Sequence, residues 1–78
     1  MNAIETMTAQ SDEHILALAA ESESFYMSGI SPEDSLMRQF LIQTKLDNTA
    51  CGLLFLSHMV FHECYIRGIN RRSDATLN

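Results

Sequence analysis

Residues 50–66 read ACGLLFLSHMVFHECYI, and this stretch is apolar on almost every side of a helix. A helix that crosses a membrane needs about 20 predominantly apolar residues. This run has 17 residues and includes His58, His62 and Glu63, so we do not expect a membrane span. Outside a membrane, a helix that is apolar on all sides lies at the centre of a fold and is covered by several neighbours. The stretch therefore predicts an all-α fold built around one central helix.

The chain has 78 residues, and we expect a single domain. Domains of this size bury little surface and usually need a disulfide, a metal or a second subunit. Cys51 and Cys64, the only cysteines, fall in the same predicted helix, 13 positions and about 20 Å apart, which excludes a disulfide within one chain. No basic segment followed by an apolar one begins the sequence, so we expect a cytoplasmic protein with reduced thiols. A metal or a second subunit remains.

Two further helices are predicted before the central one. The first begins after Ser11, a favourable N-cap, and ends at Gly29. Glu21, Glu23 and Ser24 are predicted to face outward from it. The residues predicted to face inward recur at helical spacing and are Ile15, Leu18, Ala19, Ser22 and Tyr26.

The second helix is predicted to begin at Pro32, because proline suits the first helical position and Ser31 suits the N-cap. No other proline or glycine interrupts the residues up to the central stretch, so the second and third helices could form one continuous rod. We favour a turn at residues 47–49, which are poor helix formers and lie where the apolar pattern changes. The third helix is then predicted over residues 48–67, with Gly68 as its end.

These elements place a single helical domain at residues 11–68. Residues 1–10 show no sustained periodicity and are predicted to be a flexible N-terminus, and residues 69–78 to be a flexible C-terminal tail. The expected fold is all-α with three helices, either a short helical bundle or a helical hairpin with an additional N-terminal helix. Because the first two helices cover only two sides of the third, we expect a symmetric helical dimer.

Cys51, His58 and His62 are candidate metal ligands on the central helix. His58 and His62 are one helical turn apart, and Cys51 lies within about 20° of the same line. Such a face can bind Zn²⁺ with a fourth ligand from His14, a carboxylate or a second subunit. Cys51 is, however, about 10 Å from His58 along the axis, too far for one ion without a bend. We therefore favour a histidine pair at the polar rim of a helix interface, with no metal and no cofactor.

Enzymatic activity and nucleic-acid binding are both disfavoured. Cys64 and His62 are two positions apart and lie on different faces of a helix, which prevents a thiol–imidazole pair. The net charge is −5, and no Lys or Arg occurs before Arg38, whereas nucleic-acid binding needs a basic surface. We interpret Arg71 and Arg72, beyond the third helix, as part of a solubilising tail.

The remaining class is regulatory protein–protein interaction. Aromatic residues and methionine are enriched at the cores of interfaces, and this chain has more of them than one small core needs. We therefore expect a small non-enzymatic protein that binds a larger protein target and modulates or inhibits it through an apolar helical surface. A small metal-binding or DNA-binding transcriptional regulator is the alternative. The predicted interface residues are Met37, Phe40, Leu54, Phe55, Met59, Phe61 and Tyr65.

Overall fold

Four α-helices make up the fold. The computed structural model describes residues 2–69, which contain α1 (Ala3–Thr8), α2 (Asp12–Ser28), α3 (Leu36–Gln43) and α4 (Ala50–Arg67) and no strand. The predicted all-α fold is confirmed, and α2, α3 and α4 correspond to the three predicted helices. The predicted C-terminal tail, except for its first residue, lies outside the described residues.

Residues 3–8, which were predicted to be irregular, form the short helix α1. The Asn2 side chain accepts a hydrogen bond from the Glu5 N–H at 2.8 Å, and the Glu5 carboxylate accepts one from the Asn2 N–H at 3.1 Å. This reciprocal pair is a capping box, which satisfies N–H groups at the start of a helix. Thr6 and Met7 are buried, and α1 packs against α4. The prediction of a flexible N-terminus is therefore corrected for these residues.

The two ends of α2 are as predicted, but its buried side is shifted. The Ser11 hydroxyl accepts a hydrogen bond from the His14 N–H at 3.1 Å, and Gly29 ends the helix with φ 73°. Phe25 is 8% exposed, whereas Tyr26, which was predicted to face inward, is 46% exposed. One position corresponds to a rotation of about 100° around a helix, so only one of these two neighbouring rings can enter the core.

Glu21 links α2 to the start of α3. Its carboxylate accepts hydrogen bonds from the N–H groups of Leu36 at 3.1 Å and Met37 at 2.9 Å. The first N–H groups of a helix have no partner within the helix, and the positive end of the helix dipole favours an anion there. The prediction that Glu21 faces outward is therefore wrong, and Glu23 is likewise only partly exposed.

Helix α3, which corresponds to the second predicted helix, begins four residues later than expected. Ser35 is its N-cap, and the Ser35 hydroxyl accepts a hydrogen bond from the Arg38 N–H at 3.2 Å. Pro32 lies in the preceding turn, where its carbonyl accepts a hydrogen bond from the Ser35 N–H at 3.1 Å. The predicted start at Pro32 with Ser31 as the cap is thus corrected, because the later start lets Glu21 serve as a second cap.

A tight connection separates α3 from α4, which confirms the predicted break between the two helices. Lys45 has φ 60°, in the left-handed region that favours glycine. The N–H groups of Lys45 and Leu46 donate to carbonyl groups of α3, a pattern typical of helix ends. The Asp47 carbonyl then lies directly over Gly52, where the oxygen would overlap with any Cβ atom. The connection therefore depends on glycine at position 52.

The core lies around α4, which contacts each of the other three helices. The prediction that two helices pack around a central one is confirmed, with α1 as an additional neighbour. Most of the core residues come from α2, α3 and α4, and α1 adds one methionine. The buried apolar residues are Met7, Ile15, Leu18, Ala19, Phe25, Met37, Phe40, Leu41, Leu53, Leu56, Val60 and Cys64.

Replacing Lys45 by glycine is expected to stabilise the protein. The left-handed backbone at Lys45 disfavours any side chain with a Cβ atom, and glycine removes that strain. We expect Lys45→Gly to raise the free energy of unfolding by about 0.5–1 kcal/mol, measured by urea denaturation. Lys45→Ala, which removes the charge and keeps the Cβ atom, is the matched control and should bring no such gain. Equal stability of the two variants would contradict the prediction.

Candidate interaction surface

Seven side chains of α4 lie on the side that points away from the other helices, and we call them the exposed α4 face. They recur at intervals of three or four positions and therefore share one side of the helix. The opposite side is buried, with Leu53 2% exposed and Leu56 and Val60 0% exposed. The protein's own helices thus cover one side of α4 and leave the other open. The exposed α4 face consists of Cys51, Leu54, Phe55, His58, His62, Tyr65 and Ile66.

The largest side chains of the exposed α4 face are well exposed. Phe55 is 56% exposed, Tyr65 is 81% exposed and Ile66 is 61% exposed. Complete burial of an apolar side chain of this size contributes about 1.5–3 kcal/mol. The face is therefore a largely apolar surface, and covering its apolar side chains would be strongly favourable.

The exposed α4 face has no Asp, Glu, Lys or Arg. The charged residues of α4, Glu63 and Arg67, lie beside it and form an ion pair at 2.8 Å. Arg67 also forms an ion pair with Asp12 at 2.8 Å. In a chain with a net charge of −5, the exposed α4 face thus carries only apolar groups, a thiol, a phenol and two imidazoles.

An aromatic cluster extends the exposed α4 face towards α2. The rings of Tyr26 and Phe61 are stacked, with centroids 5.8 Å apart and an angle of 20° between the planes. His58 meets the Tyr26 ring edge-on at 6.3 Å, and its Nε2 atom lies 3.3 Å from the Tyr26 hydroxyl. Aromatic pairs in these geometries attract each other beyond their contact area. Tyr26 is therefore part of the surface, although it was predicted to face inward.

A groove borders the exposed α4 face on the other flank, between α1 and α4. Its volume is about 330 Å³. Its apolar lining includes Ile4, Met7, Phe55, Met59 and Ile66, of which Ile4 is 70% exposed. The groove is therefore continuous with the exposed α4 face, with which it shares Phe55 and Ile66.

Five of the predicted interface residues lie on or beside this surface. Leu54, Phe55 and Tyr65 belong to the exposed α4 face. Met59 and Phe61 are partly buried at its two edges, one in the groove and one in the aromatic cluster. The structure therefore brings these five side chains together on one side of the protein.

The other two predicted interface residues, Met37 and Phe40, lie in the core. Met37 is 0% exposed and Phe40 is 3% exposed. The Ser22 hydroxyl of α2 lies 3.6 Å from the Met37 sulfur. Their assignment to an interface is corrected, because this side of α3 is covered by the protein's own helices.

The candidate metal ligands do not form a cluster within one chain. His58 and His62 lie on the exposed α4 face, with Cys51 nearer the start of the helix. Across residues 2–69, no group of three or more His, Cys, Asp or Glu side chains is arranged to hold a metal ion. Arg71 and Arg72, which were predicted to belong to a solubilising tail, lie outside the described residues.

Arg67 joins α4 to the N-terminal helices. Its guanidinium donates to the Glu63 carboxylate at 2.8 Å, to Asp12 at 2.8 Å and to the carbonyl groups of Met7 at 3.2 Å and Thr8 at 3.1 Å. The hydrogen bonds to Glu63 and then to Asp12 raise the pKa of the guanidinium above its ordinary value. The carbonyl groups at the end of α1 are thereby satisfied by a permanent positive charge.

Comparisons with protein-family models, curated proteins and solved structures found no match to this chain. None of the helices within residues 2–69 has the length and apolar character needed to cross a membrane.

Replacing Arg67 by methionine is expected to release α1. The change keeps a long apolar stem and removes four hydrogen bonds, which leaves the mostly buried Glu63 carboxylate without its cation. We expect a loss of about 2–4 kcal/mol in the free energy of unfolding and faster hydrogen exchange of the α1 amides.

The control for this change is Asp12→Asn. Because the Asp12 side chain is 64% exposed, its ion pair with Arg67 is screened by solvent, and this variant should lose less than about 1 kcal/mol. Unchanged exchange rates in α1 for Arg67→Met would show that Arg67 does not anchor the helix.

Proposed function

We propose that this chain is a small, non-enzymatic regulatory protein of the cytoplasm that binds a larger protein target through the exposed α4 face. Binding would modulate or inhibit that target, and a second copy of the chain is the other partner of the same face. The observation that carries the proposal is the largely apolar surface formed by α4, which has no Asp, Glu, Lys or Arg. Interface cores are depleted of charge and enriched in aromatic side chains.

The extent of the surface supports binding to a protein. Exposed apolar patches on monomers usually cover a few hundred Å², and larger ones mark interaction sites. Here the patch runs along α4 from Cys51 to Ile66, which corresponds to about 22 Å. The aromatic cluster at Tyr26 and the groove at Ile4 widen it on both flanks. A partner that contributes either an apolar groove or a helix of its own fits a surface of this shape.

The use of the ionisable side chains supports a role without catalysis. Glu21 caps α3, and Arg67, Glu63 and Asp12 hold α1 and α2 against α4. These groups therefore serve the fold and are committed to fixed partners. The groove between α1 and α4, in turn, is open at the surface, whereas catalytic pockets bury most of their ligand.

The proposal is tested by placing a photo-crosslinking amino acid at position 55 and irradiating the labelled protein in extract of its own cells. We expect one target to be captured. The same group at Met27, which is 88% exposed and lies outside the exposed α4 face, is the matched control and should not capture it.

Charge substitutions provide the second arm of this experiment. Phe55→Glu and Tyr65→Glu place a charge in the contact, and we expect each to weaken target binding by at least about tenfold. Met27→Glu adds the same charge elsewhere and should bind normally. Equal capture from positions 55 and 27, or equal binding by all three variants, would contradict the proposed function.

A further inference from the structure

We propose that a second copy of this chain packs on the exposed α4 face in antiparallel orientation, with the two-fold axis within one helical turn of His58. This inference rests on the proposed function, because it takes the same face as the binding surface. It adds the geometry of the pair and implies that the second copy and the larger target exclude each other.

The spacing of residues along the exposed α4 face supports pairing of two α4 helices. Cys51, His58 and Tyr65 are separated by seven positions each, and Leu54 and Phe61 continue the same pattern between them. Positions with this spacing form the contact line of paired helices, and here they hold Leu54, Phe61 and Tyr65 together with Cys51 and His58. His58 lies midway between the two ends of the line. An antiparallel pair centred there therefore overlaps the complete face, with Cys51 of each copy opposite Tyr65 of the other.

The charge distribution indicates a copy of the same chain. Each chain carries a net charge of −5, so two chains repel each other except where the contacting surface is neutral. The exposed α4 face has no Asp, Glu, Lys or Arg, and Glu63 and Arg67 beside it are already paired with each other. A face selected for a strongly basic partner would present acids, as complementary charge increases the rate and specificity of association.

The available area approaches what a stable dimer needs. The exposed parts of the side chains on the face, with Tyr26, amount to roughly 700 Å², given that a large aromatic side chain buries about 150–250 Å² when fully covered. A standard stable interface takes about 800 Å² from each partner. The face thus provides nearly the whole area that such an interface needs, without rearrangement of the core.

The antiparallel direction follows from the helix dipoles. α4 has 18 residues, and two such helices packed side by side in the same direction place like ends of their dipoles together. The opposite direction places the negative end of each helix beside the positive end of the other. Parallel packing would also bring Cys51 next to Cys51 of the second copy, whereas antiparallel packing keeps these two thiols near opposite ends of the contact. The two directions are therefore distinguishable by disulfide formation.

The test combines a disulfide experiment with sedimentation equilibrium. Tyr65→Cys, with the native Cys51, should form covalent dimers in a glutathione redox buffer about tenfold faster than Tyr65→Cys in a Cys51→Ser background. The two thiols of one chain lie about 21 Å apart on α4 and cannot join to each other. His58→Cys in the Cys51→Ser background should also form dimers, because position 58 lies close to the axis. Ser24→Cys in that background, exposed on α2, is the control and should not.

Sedimentation equilibrium of the unmodified chain should show a dimer at micromolar concentration. Phe55→Glu should be monomeric with unchanged helix content, and Met27→Glu should remain dimeric. A monomeric wild-type chain would overturn the inference, as would faster crosslinking through Cys51 alone than through the Cys51 and Tyr65→Cys pair. If the chain is monomeric and position 55 still captures a target, the proposed function stands and only this inference falls. If the chain is a dimer and position 55 captures no target, this inference stands and the proposed function falls.

Discussion

The contact between the Arg67 guanidinium and the N-terminal helices is the interaction on which the arrangement around α4 depends. A helix of six residues such as α1 is not stable alone, because nucleation costs more than so few hydrogen bonds return. Arg67 supplies the missing stabilisation. Its guanidinium donates to carbonyl groups at the end of α1 and forms an ion pair with Asp12 at the start of α2. Glu21 plays the corresponding role from the middle of α2, where its carboxylate fixes the first turn of α3. Two charged side chains thus position three helices against the fourth.

Most of the fold could be predicted from residues that act locally. Ser11, Gly29 and Gly68 mark helix ends through short-range hydrogen bonds and backbone preferences, and the structure places helix ends at all three. The capping box of Asn2 and Glu5 is a signal of the same kind that was present in the sequence and overlooked. The start of α3 could not be predicted in this way. It depends on the Glu21 carboxylate, which lies 15 positions earlier in the chain and is brought there only by tertiary packing.

The candidate surface was predictable in part, for a physical reason. The composition of α4 showed that it has more apolar surface than its own chain can cover, and the exposure of Leu54, Phe55 and Tyr65 agrees with this. Composition does not, however, distinguish an apolar side chain in the core from one at a surface. Met37 was therefore assigned to the interface and Tyr26 to the core, although their actual environments are the reverse. Which side of a helix is covered is decided by the neighbouring helices and not by its own sequence.

The two-sided character of α4 has a consequence for how this protein can evolve. Substitutions on the exposed α4 face change what the surface contacts and leave the packed side intact, so specificity can drift without loss of the fold. Insertions and deletions act differently. One added residue within α4 rotates everything after it by about 100°, which moves Val60 and Cys64 out of the core and brings polar or bulky groups in. Within α4, related sequences are therefore expected to vary in residue identity and to keep the same length between Gly52 and Gly68.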